Sequence, residues 1–119
     1  LGAVRDLEPY QRARLEASAL RVVPGVLDPD AIAAALDGLG RVYLHLDLDA
    51  LDAGEGRANA YAAPGGPSLA GLLDAVGAVG ERCGIAAAAL TSFDAGCDDD
   101  GRVLAAARAL LERVALSAR

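Results

Sequence analysis

The sequence contains no lysine, no methionine and no tryptophan, and only one histidine, one phenylalanine and two cysteines. Each shortage closes off a class of function. The eleven cationic side chains are all arginines, they form no basic run, and the net charge is −6. With three tyrosines and one phenylalanine there is also little to stack on bases. A nucleic-acid binder needs cations for phosphates and usually aromatics for bases, so no nucleic-acid partner is expected. Cys83 and Cys97 form neither a CxxC pair nor the framework of a small secreted scaffold, which points to reduced thiols and a cytoplasmic setting. No apolar run approaches the roughly 20 residues of a membrane span, and no signal peptide is visible, so no membrane partner is expected. The missing methionine, and an opening Leu-Gly-Ala-Val that already reads as a strand, suggest a fragment or an incomplete reading frame. A processed mature chain is the alternative.

What remains is globular in character: 119 residues, 54% apolar and 24% charged, enough for one domain or part of one with a modest core. Residues 1–4 read as a short strand that turns out through Arg5-Asp6-Leu7-Glu8-Pro9. Pro9 suits the first turn of a helix over roughly 10–18, with Leu15 inward. Residues 20–23 read as a second short strand, stopped by Pro24-Gly25. Asp28-Pro29 opens a helix whose apolar positions Ile32, Ala35, Leu36 and Leu39 follow helical spacing and which Gly38 and Gly40 end. Residues 41–48 form the clearest strand. The stretch 50–67 lacks periodicity and is rich in Gly, Ala and Pro, which predicts a long loop of the kind that is usually functional. Ser68 caps a helix through Leu69, Leu72, Leu73, Val76 and Val79. Residues 85–90 form another apolar strand, and Asp99 or Asp100 starts a last helix carrying Val103, Leu104, Ala107, Leu110, Leu111 and Val114. Strands alternating with helices predict a parallel α/β sheet with covering helices, and sites in such sheets form at the carboxyl ends of strands.

Two strand ends are acidic, His45-Leu46-Asp47-Leu48-Asp49 and Ser92-Phe93-Asp94. Strand alternation places His45, Asp47 and Asp49 on one face and Leu44, Leu46 and Leu48 on the other. Two carboxylates at that spacing can reach one hard divalent cation or an adjacent pair, and an imidazole among them favours Mn, Fe or Zn over Ca. Carboxylates at strand ends are equally common as turn formers and helix caps. His45 lies deeper in the strand and is expected as a hydrogen-bonded core residue rather than a ligand. Asp-x-Asp after an apolar strand also occurs in haloacid-dehalogenase-type phosphatases and in glycosyltransferases. The former sites also use a lysine, as do receiver domains, and the latter require a longer chain. There is no phosphate-binding GK[ST] loop and no GxSxG elbow.

The segment VYLHLDLDALD, followed by ANAYAAPGG, resembles the signature of the arginase/agmatinase (ureohydrolase) family: an apolar strand, S/H-x-D-x-D-x-x-D-P, then a loop ending in Gly-Gly. LGAVRDLEP and AALTSFDAGCDDDGRVLAAARALL resemble flanking segments of the same family, in the right order across residues 1–119. The resemblance implies the C-terminal part of a three-layer αβα fold with a mainly parallel sheet, here incomplete. It implies a hydrolase of linear guanidino or amidino C–N bonds that works with two Mn²⁺ ions, for which Asp47 would bridge both ions and Asp49 would bind one. The family's remaining ligands, an upstream His and an Asp-x-His-x-Asp motif, have no counterpart in this sequence. The strand that carries that motif would lie between residues 42–48 and 1–4, so the sheet must close the gap directly or stay imperfect. The chain alone is therefore expected to hold at most one Mn²⁺ weakly and to be inactive.

Three departures from the signature stand out. Ala53 replaces a proline, which should loosen the turn, and Pro67 replaces a leucine. Ser92 stands where arginases carry a glutamate that pairs with the guanidinium, which points to another amidine-type substrate. Glu8 matches a position near the substrate's amino-acid end. The partner implied is a small guanidino or amidino substrate, with room for a homo-oligomer. The competing readings are a catalytically dead half-domain serving as an interaction module, and a fragment of an Asp-x-Asp phosphotransfer or nucleotide-sugar enzyme.

Overall fold

The computed structural model of the protein describes residues 7–23 and 27–118. The expected strand at 1–4, most of the turn that follows it and the stop at Pro24-Gly25 lie outside them. The first helix, α1, spans Pro9–Glu16, with proline in its first turn and the Gln11 side chain accepting from Glu8 N at 2.9 Å. It buries no residue, and Leu15 is only half-buried. The strand expected at 20–23 is reduced to an isolated bridge at Val22, although Val23 reaches the core.

Helix α2 (Pro29–Ala35) starts at Asp28, whose carboxylate accepts from Asp30 N. Ile32 and Leu36 enter the core. Leu39 does not, being 47% exposed, because the helix stops at Ala35 and the chain turns away through Gly38 in the left-handed region, φ 80°. Strand β1 (Arg41–Asp47) runs directly into a single 3₁₀ turn, Leu48–Ala50. Residues 51–67 then form the expected long loop. Helix α3 (Leu69–Arg82) begins at Ser68, whose hydroxyl accepts from Gly71 N at 3.1 Å. Strand β2 (Gly84–Thr91) pairs with β1 in parallel, Arg41 with Gly84 through Asp47 with Thr91, with one irregularity at Val42/Tyr43. Helix α4 (Arg102–Ser117) closes the chain.

The core gathers Leu46, Leu48 and Ile85 from the sheet side with Leu72, Val76 and Val79 of α3 and Val103, Leu110 and Val114 of α4. α3 and α4 approach closely through small residues: a side chain at Gly77 would strike Arg113, and one at Gly80 would strike Ser117. Leu104 and Leu111, expected inward on α4, are 42% and 51% exposed; Ala106 takes the inward position instead. Among the described residues the opposite face of the sheet is uncovered. Tyr43 is 62% exposed, and His45 and Asp47 are exposed as well. Among the described residues the sheet has two strands, and no helix is long and apolar enough to cross a membrane.

Candidate metal centre

Strand β1 ends where the sequence places its acidic pair, but the backbone does not continue straight. Asp47 keeps extended dihedrals (φ −88°, ψ 115°) and its Oδ1 accepts from Asp49 N at 3.0 Å, closing the 3₁₀ turn. Asp49 therefore sits on that turn and not on the strand. It is half-buried, whereas His45 and Asp47 are exposed, which corrects the expectation of three side chains on one strand face. The turn drives Leu48 and Leu51 into the core at 2% exposure each, and those anchors fix where the two carboxylates stand.

The carboxylates differ in their hydrogen bonding. Asp47 uses one oxygen as a cap, so the turn-forming role of strand-end carboxylates is present. Asp49 Oδ1 is inaccessible to solvent and has no hydrogen-bond partner among the described residues. A buried carboxylate oxygen without a donor is unfavourable, and a water, a proton or a cation relieves it. His45 is not a core residue. Its Nε2 lies 3.0 Å from Thr91 Oγ1 across the strand pair, and its ring stands edge-on to Tyr43 with centroids 6.5 Å apart. The core expectation rested on its depth in the strand, and among the described residues no layer covers this face of the sheet. Among the described residues no group of three or more His, Cys, Asp or Glu side chains is gathered to hold a metal. Glu8 opens α1 and forms no hydrogen bond with Asp47 or Asp49.

The loop after the 3₁₀ turn is tightly tied, against the expectation of a loosened turn at Ala53. Asp52 accepts from Gly54 N at 2.7 Å and from Gly65 N at 2.6 Å, and its own N–H reaches Pro67 O at 3.0 Å. Ala53 N donates to Ala63 O at 3.2 Å, a bond that proline could not make. A side chain on Gly66 would collide with the backbone of Ala50, Leu51 and Asp52, so the second glycine lets the returning loop lie directly against the turn. Two further ties fasten the loop to the exit of β2: Asn59 Nδ2 donates to Ser92 O at 3.2 Å, and Asp94 N donates to Ala58 O at 2.7 Å. Ser92 holds the left-handed conformation, φ 65°.

Of the two expected starts of α4, Asp100 takes part, its carboxylate accepting from Arg102 N at 3.2 Å, and Asp98 joins it. Asp98 accepts from Val103 N and Leu104 N, both at 2.9 Å, across Gly101 in the left-handed region. Asp100 also grips the Arg102 side chain, whose hydrogen bonds hold its carboxyl below the usual carboxylate range, and Arg102 reaches on to Gly54 O at 2.9 Å. The Cys97 thiol is pushed up, first by desolvation and then by the Asp94 carboxylate beside it. Sequence reasoning missed Asp98 and the staple made by Asp52; the only signal for the latter was the Asp at that motif position.

No family model matches the sequence, and no curated protein is similar to it. Solved structures do match. Formimidoylglutamase from Bacillus subtilis superposes with a TM-score of 0.78 at 16% identity, over 97% of this chain and 39% of its own. Arginase from Bacillus caldovelox gives 0.78 at 20%, over 93% and 40%. Proclavaminate amidino hydrolase from Streptomyces clavuligerus gives 0.70 at 22%, over 96% and 41%. The chain thus spans about two-fifths of the length of these structures. Its alternation of parallel strands and covering helices is that of the arginase, agmatinase and formimidoylglutamase structures, and the protein has part of this arginase-like αβα fold.

Proposed function

We propose that the chain carries the Asp-x-Asp portion of a manganese-dependent hydrolase of linear amidine or guanidino C–N bonds, and that it is inactive on its own. The observation that carries this reading is the inaccessible, unpartnered Oδ1 of Asp49 beside Asp47, at the carboxyl end of a parallel strand in an arginase-like fold. The residues present fit a cation: Asp49 offers that oxygen, and Asp47 has a second oxygen that the cap does not use. When bound, such a metal pair supplies an acidified water and charge stabilisation for attack on an amidine carbon. The chain's own contribution is positional. Leu48 and Leu51 anchor the turn, and the Asp52 staple and Gly66 hold the loop against its back.

Two carboxylates leave most of a cation's coordination sphere to water, so binding by the isolated chain is weak and involves one ion at most. Titration with Mn²⁺ by calorimetry or electron paramagnetic resonance tests this; two tight, coupled ions would refute it. The same preparation should release no urea from arginine or agmatine above a metal-only blank. Turnover that Asp47→Asn abolishes would show that the chain is a complete enzyme. The reading as a catalytically silent interaction module draws on the absence of a three-ligand cluster among the described residues and on the open sheet face. The free thiols Cys83 and Cys97 suit a reducing cytoplasm.

A further inference from the structure

The chain contains two Asp-Gly steps, Asp37-Gly38 and Asp100-Gly101. Such a step can react with itself, because glycine has no Cβ to shield its nitrogen and its backbone turns freely. The glycine nitrogen attacks Cγ of the aspartate, the carboxyl hydroxyl leaves as water with the amide proton, and a five-membered succinimide closes. Water then opens the ring at either carbonyl. One opening restores aspartate. The other routes the main chain through the side-chain carbonyl and leaves an isoaspartate with a pendant α-carboxylate. No oxidant or other co-reactant is needed, so the fold sets the rate by how firmly it holds the nitrogen and the carboxyl.

The two steps are held differently. At Asp100-Gly101 both reacting groups are engaged: Gly101 N donates to Asp98 O at 3.2 Å, and Asp100 accepts from Arg102 N at 3.2 Å and from Arg102 Nε at 2.6 Å. Those bonds hold the carboxyl below its usual range, away from the protonated form that loses hydroxyl, and Arg102 is itself tied to Gly54 O. At Asp37-Gly38 neither group is engaged in a hydrogen bond among the described residues. The Asp37 side chain is 80% exposed, and its ion pair with the exposed Arg82 is long, at 3.9 Å. Exposed pairs of that kind hold a side chain weakly. A Cβ at Gly38 or Gly40 would meet nothing within 4 Å, so the turn has room to rotate. Asp37 N to Ala34 O at 3.3 Å and Leu39 N to Leu36 O at 3.0 Å close this turn, just past the end of the seven-residue α2. Helix ends of this kind open locally at low cost.

We propose that Asp37-Gly38 is a modification site of the folded chain, where succinimide closes and opens to isoaspartate, and that the Arg102 clamp protects Asp100-Gly101 from the same reaction. The proposal rests on these two turns alone, so it stands or falls independently of the metal reading. The product sits on the exposed link from α2 to β1, where its new α-carboxylate is accessible to an isoaspartate-specific methyltransferase. The chain is aged in mildly acidic buffer, folded by circular dichroism, beside the same chain in urea. Peptide mapping with electron-transfer fragmentation, which tells isoaspartate from aspartate, measures each step against its own rate in urea. Methyl transfer from labelled S-adenosylmethionine counts the total product. The expected result is that folding leaves the rate at 37–38 close to its value in urea and slows 100–101 by about tenfold or more. Arg102→Ala should raise the reaction at 100–101 and leave 37–38 unchanged. Asp37→Glu, which would need a six-membered ring, should remove most of the methyl acceptance. Equal slowing of both steps by folding, or no slowing of either, would overturn the proposal. So would a methyl acceptance that survives Asp37→Glu, or a folded Arg102→Ala chain in which 100–101 stays protected.

Discussion

Asp49→Asn separates a carboxylate kept for a ligand from one kept for stability. In the metal-free chain Asp49 Oδ1 is out of contact with solvent and accepts no hydrogen bond among the described residues, while the backbone N–H of the same residue is satisfied by Asp47. Leaving a buried acceptor unpaired costs about 1–3 kcal/mol, and more when the group is charged. Asp49 as a whole is half-buried, so the low end of that range applies. The isosteric amide keeps the shape and lowers the desolvation cost by removing the charge. Its NH₂ group meets the same surroundings, so the gain is partial, about 1 kcal/mol. For a domain of this size that corresponds to a rise of roughly 3–6 °C in Tm.

The assay is thermal unfolding followed by circular dichroism in chelator and again in millimolar Mn²⁺. In chelator the variant should melt above the parent chain. With Mn²⁺ the order should close or reverse, because a ligand that binds only the folded state stabilises it by mass action and the variant has lost a charged donor. A variant that melts below the parent in chelator would refute the reasoning, since the carboxylate would then be meeting a structural partner. Equal Mn²⁺-induced shifts in both proteins would remove Asp49 from the metal site.

Gly66→Ala should destabilise by about 3 kcal/mol or more, through the collision with Ala50–Asp52 and strain on the hydrogen bonds of the Asp52 staple. Gly40→Ala, where a side chain meets open space, should stay within about 1 kcal/mol; urea unfolding of the pair checks both. Asp98→Ala should cost about 1–2 kcal/mol and fray the first turn of α4, read as faster hydrogen exchange at Val103 and Leu104. His45→Ser should change stability by no more than about 0.5 kcal/mol, since the ring is exposed and gives up only its contacts with Thr91 and the exposed Tyr43. A Mn²⁺ affinity that falls with His45→Ser would make this residue a ligand.

The parts of the fold that could be read in advance are those where local spacing and tertiary packing agree. Helix α3 shows it well: Leu72, Val76 and Val79 recur at helical intervals and all are buried. β1 is equally clear, because the alternation of Val42, Leu44 and Leu46 with Tyr43, His45 and Asp47 matches alternating burial. Reading failed where one signal served two outcomes. At the start of α4 the sequence pointed to Asp99 or Asp100, whereas Asp98 and Asp100 both accept first-turn N–H groups around the left-handed Gly101, which the sequence only permits. Leu104 and Leu111 fit the apolar side of α4, yet the inward line runs through Val103, Ala106, Leu110 and Val114.

The site shows the same division. The Asp-x-Asp spacing located the acidic end of β1, but period-two reasoning carried Asp49 one step too far along a strand that had already turned. That error changes the chemistry. On a straight strand both carboxylates would stand in water and lose little by remaining unpaired. On the 3₁₀ turn, Asp47 gives one oxygen to the backbone, and Asp49 Oδ1 is carried beneath the surface without a donor. On the proposed reading, capping and metal binding are not rival uses of the pair: the cap made by Asp47 holds the bend that leaves the Asp49 oxygen without a donor among the described residues. Removing the cap should loosen the turn and expose that oxygen to water, which would weaken metal binding even if Asp47 never touched the ion.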